Sequence, residues 1–260
     1  MRDSGSWAGL FGRVTERTDH RSGIAPNPEG KAYSIGLKDT SGVLTLLLTR
    51  HGRTSRSVPE QYLGQHIDVP LDRRGKSDGG KLARRLESVA IERVVSSPLL
   101  RARNTAEIVA ASHAGLKVEI DKRLIELDYG AWEGHTIEEI RRLFPGQHEK
   151  YERDPATFDV GGAESGREVA QRLRPLIDEL LDWSEKKARE RICLVVGHSS
   201  TNRVLLAMLL GIKLADYRRR IDQDWTNLTV LQWADRASGP TVRLMNDVAH
   251  ARGIRGVTWG

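Results

Sequence analysis

The sequence predicts an α/β protein, a three-layer α/β/α sandwich around a mostly parallel central sheet. Two observations carry this expectation. Apolar runs over 43–49 and 192–197 have the length of strands buried on both faces. Around them, segments of helical period alternate with short strand-like runs, the pattern of a sheet covered by helices on both sides. A chain of 260 residues suffices for one large domain with its own core.

Taken in order, residues 1–41 carry Gly, Ser, Asn and Pro clusters, among them Pro26, Asn27 and Pro28, and no sustained period. They read as an irregular N-terminal extension before a single domain over 42–260. The first strand runs into Arg50 and His51. A helix is expected over 75–90, with Leu82, Leu86 and Val89 on one face. After a short strand over 91–95, Ser97 and Pro98 supply an N-cap and a first-turn proline for a helix that turns Leu99, Ala102, Ala106 and Val109 inward. A strand over 116–120 precedes a short helix over 136–144, stopped by Pro145 and Gly146. The long helix over 165–187 aligns Val169, Leu173, Leu176, Ile177, Leu180 and Leu181. Pro175 inside it should kink it or mark its first turn. The strand over 192–197 feeds a helix over 200–210, closed by Gly211. Strands over 228–233 and 242–245 end the domain.

Composition excludes several classes. The net charge of +6 favours anionic partners in a general way. Yet the charges are scattered, no Lys/Arg block is long and no nucleic-acid motif appears, so nucleic-acid binding is not expected. No apolar stretch approaches the length of a membrane span, and no basic region followed by an apolar run opens the chain. Neither membrane association nor a signal peptide is therefore expected. The single cysteine, Cys193, lies in a strand and reads as a buried small hydrophobe. With no intrachain disulfide to form, a cytoplasmic setting fits. His20, His66, His113, His135, His148 and His250 show no paired ligand spacing, so no metal site is expected. The oligomeric state stays open between a monomer and a homodimer.

In open α/β sheets, sites form beyond the carboxyl ends of the strands. Two such ends here deliver histidines, His51 and His198. If their strands are neighbours, the imidazoles meet. With Arg50 alongside, that is a site for an anionic phosphate and a histidine nucleophile. A histidine attacks through an unprotonated ring nitrogen. Its other nitrogen must be fixed by a hydrogen bond, for which a backbone carbonyl near Gly52 is available. Surrounding arginines disfavour the imidazolium.

These residues resemble the histidine phosphatase superfamily, the group that includes the cofactor-dependent phosphoglycerate mutases. Arg50, His51, Gly52, Arg53 and Thr54 are similar to its signature. The segment 68–71 followed by Gly75 resembles what usually comes next. The segment 96–102 with Thr105, Ala106 and Glu107 looks like the second block, and 124–126 with 130–134 like the third. Gly162 to Ser165, Gly197 to Ser199 and Asn246 to His250 follow in the family's order. The resemblance covers roughly 44–250, and the order of the blocks makes it far more specific than any one of them.

The resemblance implies a phosphoglycerate mutase-like fold and a phosphomonoesterase that hydrolyses a small phosphorylated metabolite. It implies that His51 is the nucleophile, that Arg50, Arg101 and His198 hold the phosphoryl oxygens, and that Glu126 protonates the leaving oxygen. Asp128 and Glu133 stand close enough in sequence to compete with Glu126. No metal or other cofactor is implied. Ser57 and Ser199 fall in the substrate-binding set as departures, where the family commonly has asparagine and glycine. Tyr129 and Trp132 are candidates for the substrate entrance. Loops over 55–65 and 143–162 are expected to set specificity. Residues 131–134 look like the phosphatase branch, and 55–57 lack the tryptophan-asparagine pair of the mutases. A mutase, or a phosphate-binding scaffold without turnover, remains the alternative.

Overall fold

A computed structural model describes residues 44–159 and 163–252. The N-terminal extension and Gly162 lie outside the described residues. The strands are β1 (Leu44–Arg50), β2 (Arg93–Ser96), β3 (Val118–Ile120), β4 (Arg191–Gly197), β5 (Leu228–Trp233) and β6 (Pro240–Asp247). They form one six-stranded sheet in the order β3-β2-β4-β1-β5-β6. The first four pair in parallel, while β5 lies antiparallel to both β1 and β6. The sandwich expected from the sequence is the fold observed.

Alternation along β1 assigns the layers. Leu44, Leu46 and Leu48 pack with α5 (Gly166–Glu185) and α6 (Ser199–Leu209), through Leu173, Leu176 and Leu205. Leu47 packs on the opposite face with α1 (Arg73–Leu86) and α2 (Leu100–Ala110), through Leu82, Leu86, Ala102 and Ala106. Successive strand side chains point to opposite faces, so one apolar run feeds two cores. Each leucine buried this way contributes about 1.5–3 kcal/mol.

Several boundaries differ from the expectation, each for a local reason. α1 starts at Arg73 because Asp72 caps it, its Oδ1 accepting from the Gly75 N–H at 2.6 Å. It stops at Leu86, and a turn carries Val89 into the core. α2 starts at Leu100, not at Pro98. Its cap comes from elsewhere in the chain: Asp68 Oδ1 accepts from the Leu100 N–H at 2.7 Å, whereas Ser97 Oγ reaches only the Leu99 N–H, at 3.3 Å. Pro175 sits in the middle of α5, between the wholly buried Leu173 and Leu176. Thr136 closes a capping box with Glu139 at the start of α3 (Ile137–Leu143). Three short helices had no sequence counterpart: α4 (Gln147–Arg153), α7 (Tyr217–Arg220) and α8 (Ala249–Arg252). α4 is mostly charged and inserts only His148 and Tyr151 into the core, too few positions to show a period. Among the described residues, no helix is long and apolar enough to cross a membrane.

Candidate active site

Parallel pairing sets Arg50 opposite Gly197 at the ends of β1 and β4. His51 and His198 are the next residues on those neighbouring strands, and their ring centroids stand 5.1 Å apart. The His51 N–H donates to Gly197 O at 3.0 Å, extending the ladder one residue past the strands. On the other side of β4, β2 brings Ser97 Oγ within 2.7 Å of His198 Nε2 and leads to Arg101 in the first turn of α2. Three strand ends thus converge.

His51 Nδ1 lies 2.8 Å from Gly52 O. A carbonyl only accepts, so Nδ1 carries the proton and Nε2 keeps its lone pair. Burial, then Arg101 and Arg50, hold the His51 imidazole well below the usual histidine range, against a smaller opposing effect of the Gly52 carbonyl. His198 is held low by burial, then by Arg101, His51 and Arg50. Both rings are neutral near pH 7.

The two arginines are anchored from behind. Arg50 Nη1 donates to Gln223 O at 2.8 Å and Nη2 to Glu60 Oε1 at 2.6 Å. Its guanidinium lies over the Trp225 ring, 4.9 Å from the centroid. Arg101 Nη2 donates to Gly64 O at 2.7 Å and Nη1 to Ile67 O at 3.1 Å. In each, Nε is buried with no hydrogen-bond partner, as is Nδ1 of His198. The two arginine Nε–H donors are costly to leave unmatched, and an anion's oxygens match them.

Glu126 stands at the N-terminus of α6. Its Oε1 accepts from the N–H of Leu127 at 2.9 Å and the N–H of Thr201 at 3.0 Å, and lies 3.1 Å from Thr201 Oγ1, whose one hydrogen goes to Ile125 O at 2.8 Å. Its Oε2 accepts only from the Ser200 N–H, at 3.2 Å. Oε2 is therefore the oxygen with room for a proton.

A cavity of about 210 Å³ gathers Arg50, His51, Ser57, Arg101, Glu126 and Ser199. His198 is packed against His51 and does not line it. The Ser57 hydroxyl is engaged by the Thr54 N–H at 3.0 Å, so it serves the loop as well as the cavity. Asp128 and Glu133 are elsewhere. Glu133 accepts from the N–H groups of Gln65 and His66, both at 2.8 Å, and Asp128 caps Gly130 at 2.8 Å. With His66 they form a group of possible metal ligands outside the cavity.

Two expectations need correction. Trp132 is wholly buried and packs on Tyr62 and Tyr151, so it belongs to the core; Tyr129 does line the cavity. Of the two specificity loops, 55–65 contributes heavily, while none of the described residues in 143–162 lines the cavity. Arg56 and Glu60 come from the 55–65 loop, whereas sequence reasoning missed Arg203, Arg218 and Trp225, which also line the cavity. Arg203 follows Ser199 by one helical turn, a spacing that could have revealed it. Arg218 and Trp225 arrive from a segment with no strand-end signal.

Comparison with known proteins supplies the family. A family model described as histidine phosphatase superfamily, branch 1, matches residues 46–248. The chain is 32% identical over 213 residues to a glucosyl-3-phosphoglycerate phosphatase of Mycobacterium tuberculosis, covering 79% of this chain and 94% of the relative. It is 30% identical over 176 residues to phosphoserine phosphatase 1 of Hydrogenobacter thermophilus, covering 67% and 80%. Among solved structures, YhfR of Bacillus stearothermophilus superposes with a TM-score of 0.71 at 29% identity, covering 80% of this chain and 99% of that one. The converging strand ends, the ordered motifs and these matches agree, and the chain belongs to the histidine phosphatase superfamily.

Proposed function

We infer that this histidine phosphatase hydrolyses a small phosphomonoester through a phosphohistidine on His51. The observation that carries the reading is the fixed tautomer: Gly52 O holds Nδ1–H at 2.8 Å, which leaves the Nε2 lone pair for attack. Nε2 attacks phosphorus and the bond to the leaving oxygen breaks. Glu126 Oε2 supplies the proton that the leaving alkoxide needs. Charge spreads over the three equatorial oxygens in the transition state, and Arg50 and Arg101, already oriented by backbone carbonyls, stabilise it without reorganising. Neutral His198, 5.1 Å from His51, packs behind the nucleophile and braces it, its Nε2 2.7 Å from Ser97 Oγ. Water then attacks the phosphohistidine, Glu126 takes its proton, and the nitrogen–phosphorus bond breaks to free phosphate. Ester and water become alcohol and phosphate, with the enzyme restored.

The same reading includes a cytoplasmic location, which the buried unpaired Cys193 supports, and a small-molecule substrate acted on without nucleic acid or membrane. The test is phosphate release from a panel of small phosphomonoesters by wild type and His51→Ala. Release that falls by three or more orders of magnitude, roughly, in the variant is expected. Isomerisation of 3-phosphoglycerate without release would favour a mutase. Ligand binding with no turnover would favour a scaffold.

A further inference from the structure

The segment Asn246 to His250 falls in the family's order, yet no step of the reaction above uses it. None of its residues lines the cavity. What Asn246 touches is the loop over 222–227, and that loop grips Arg50 from several directions. The Arg50 N–H donates to Asn227 Oδ1 at 2.8 Å, and Arg50 O accepts from the Thr226 N–H at 3.1 Å. Arg50 Nη1 donates to Gln223 O, and the Trp225 ring lies under the guanidinium. β1 and β5 pair as far as Leu48 opposite Thr229. Past that point the loop takes over, with a side-chain amide oxygen where a ladder would have a backbone carbonyl.

The loop is strained. Thr226 is β-branched and wholly buried, and its φ is 54°. Such a conformation persists only where its surroundings over-determine it. Asn246, near the end of β6, supplies that restraint. Its Oδ1 accepts from the Asp224 N–H at 2.8 Å and from Asn227 Nδ2 at 2.9 Å, so one oxygen ties both ends of 224–227. With its Nδ2 committed to Asn246, Asn227 must turn its Oδ1 toward Arg50. Asn246 is itself fixed independently of the loop. Its N–H donates to Thr229 Oγ1 at 3.0 Å, and the adjoining Asp247 pairs with Arg85 of α1. Its φ of 48° is one that asparagine tolerates better than most residues.

We propose that Asn246 is a positioning residue for phosphoryl transfer, which sets the Arg50 guanidinium against the phosphoryl oxygens by holding the loop over 224–227 in place. The assignment rests on the phosphomonoesterase reading above. Because Asn246 lines no part of the cavity, its effect on turnover passes through the loop and Arg50.

The test is a double-mutant cycle of Asn246→Gly and Arg50→Ala, read as kcat/KM on p-nitrophenyl phosphate. Glycine suits the positive φ, so the variant loses the amide without added backbone strain. Asn246→Gly should lower kcat/KM by roughly 10- to 100-fold where Arg50 is present, the cost of a misplaced guanidinium. In the Arg50→Ala background the same substitution should cost less than about threefold, because its target is gone. Inhibition by vanadate should weaken in the first background and not in the second. Melting curves identify the folded variants; should Asn246→Gly fail to fold, Asn246→Ser, which has no amide, carries the cycle. Equal losses in the two backgrounds would mark a general effect on the fold and overturn the assignment. Wild-type kcat/KM in the folded variant would overturn it too, and in both cases the phosphomonoesterase stands. A wild-type protein inert toward p-nitrophenyl phosphate and the small phosphomonoesters overturns that reading, and this assignment with it.

Discussion

Glu126 shows how a single residue's environment divides its two oxygens. Oε1 takes two backbone N–H donors and Oε2 a single longer one, so Oε2 has more room for the proton that a leaving alcohol needs. Glu126→Gln keeps the shape but cannot give up a proton, and it puts amide hydrogens near the Ser200 N–H. Its kcat/KM on an alkyl phosphate should fall by about 100- to 10,000-fold. The loss should be much smaller on p-nitrophenyl phosphate, whose leaving group needs no proton. Since kcat/KM reports only steps through phosphoryl transfer, later water activation does not blur the comparison. Equal losses on the two esters would remove Glu126 from the acid role, and Glu60→Gln is the control, because Glu60 is the other carboxylate lining the cavity. The motif around Glu126 was legible in the sequence. Which of three nearby carboxylates faces the cavity was not: Glu133 is turned away by the N–H groups of Gln65 and His66, which only folding brings to it, while Asp128 closes a local turn onto the Gly130 N–H.

At the scale of elements, the turn carrying Arg50, His51 and Gly52 is held by the start of α1. A Cβ on Gly75 would lie 2.1 Å from Arg53 O, and one on Gly52 would lie 2.9 Å from Gly75 O. Two backbones cross here with no room for a side chain, which ties the nucleophile's loop to the helix that Asp72 caps. Gly75→Ala should destabilise the protein by about 1–3 kcal/mol or more and lower activity by displacing Arg53. Gly80, in the same helix, meets only Arg84 Nη1 at 3.8 Å. There alanine should stabilise by up to about 1 kcal/mol. Thermal unfolding of the two variants checks this, at about 2–4 °C per kcal/mol for a domain of this size. Melting shifts of the same sign would show that the close approach is not what constrains Gly75. The period of α1 was readable from Leu82 and Leu86, but its start was not, because the cap and the crossing loop are tertiary.

For the whole molecule, assembling this site costs acid stability. His51 and His198 are held well below the ordinary histidine range by burial first and by Arg101 next. Unfolded, both would titrate near 6.5. The folded state therefore refuses protons that the unfolded chain accepts, so stability is complete above that pH and is lost as pH falls toward the folded values. Each ring contributes a slope of up to about 1.4 kcal/mol per pH unit. His66, raised by Glu133, acts in the opposite direction but is exposed and adds little. The urea midpoint should drop between pH 7.5 and 5.5, where carboxylates stay ionised, and replacing His51 with Asn should flatten the slope. A midpoint constant over that window would contradict the buried neutral pair. By itself, the sequence determined the alternation of strands and helices, the apolar strands that end in His51 and His198, and the ordered motifs of the family, because side-chain period and local motif are written in adjacent residues. Only the tertiary structure decided that β1 and β4 are neighbours, that Trp132 is core, and that Arg203, Arg218 and Trp225 share a wall with the nucleophile. Those facts depend on which distant segments pack together, and the free energy that selects the packing is spread over the whole core.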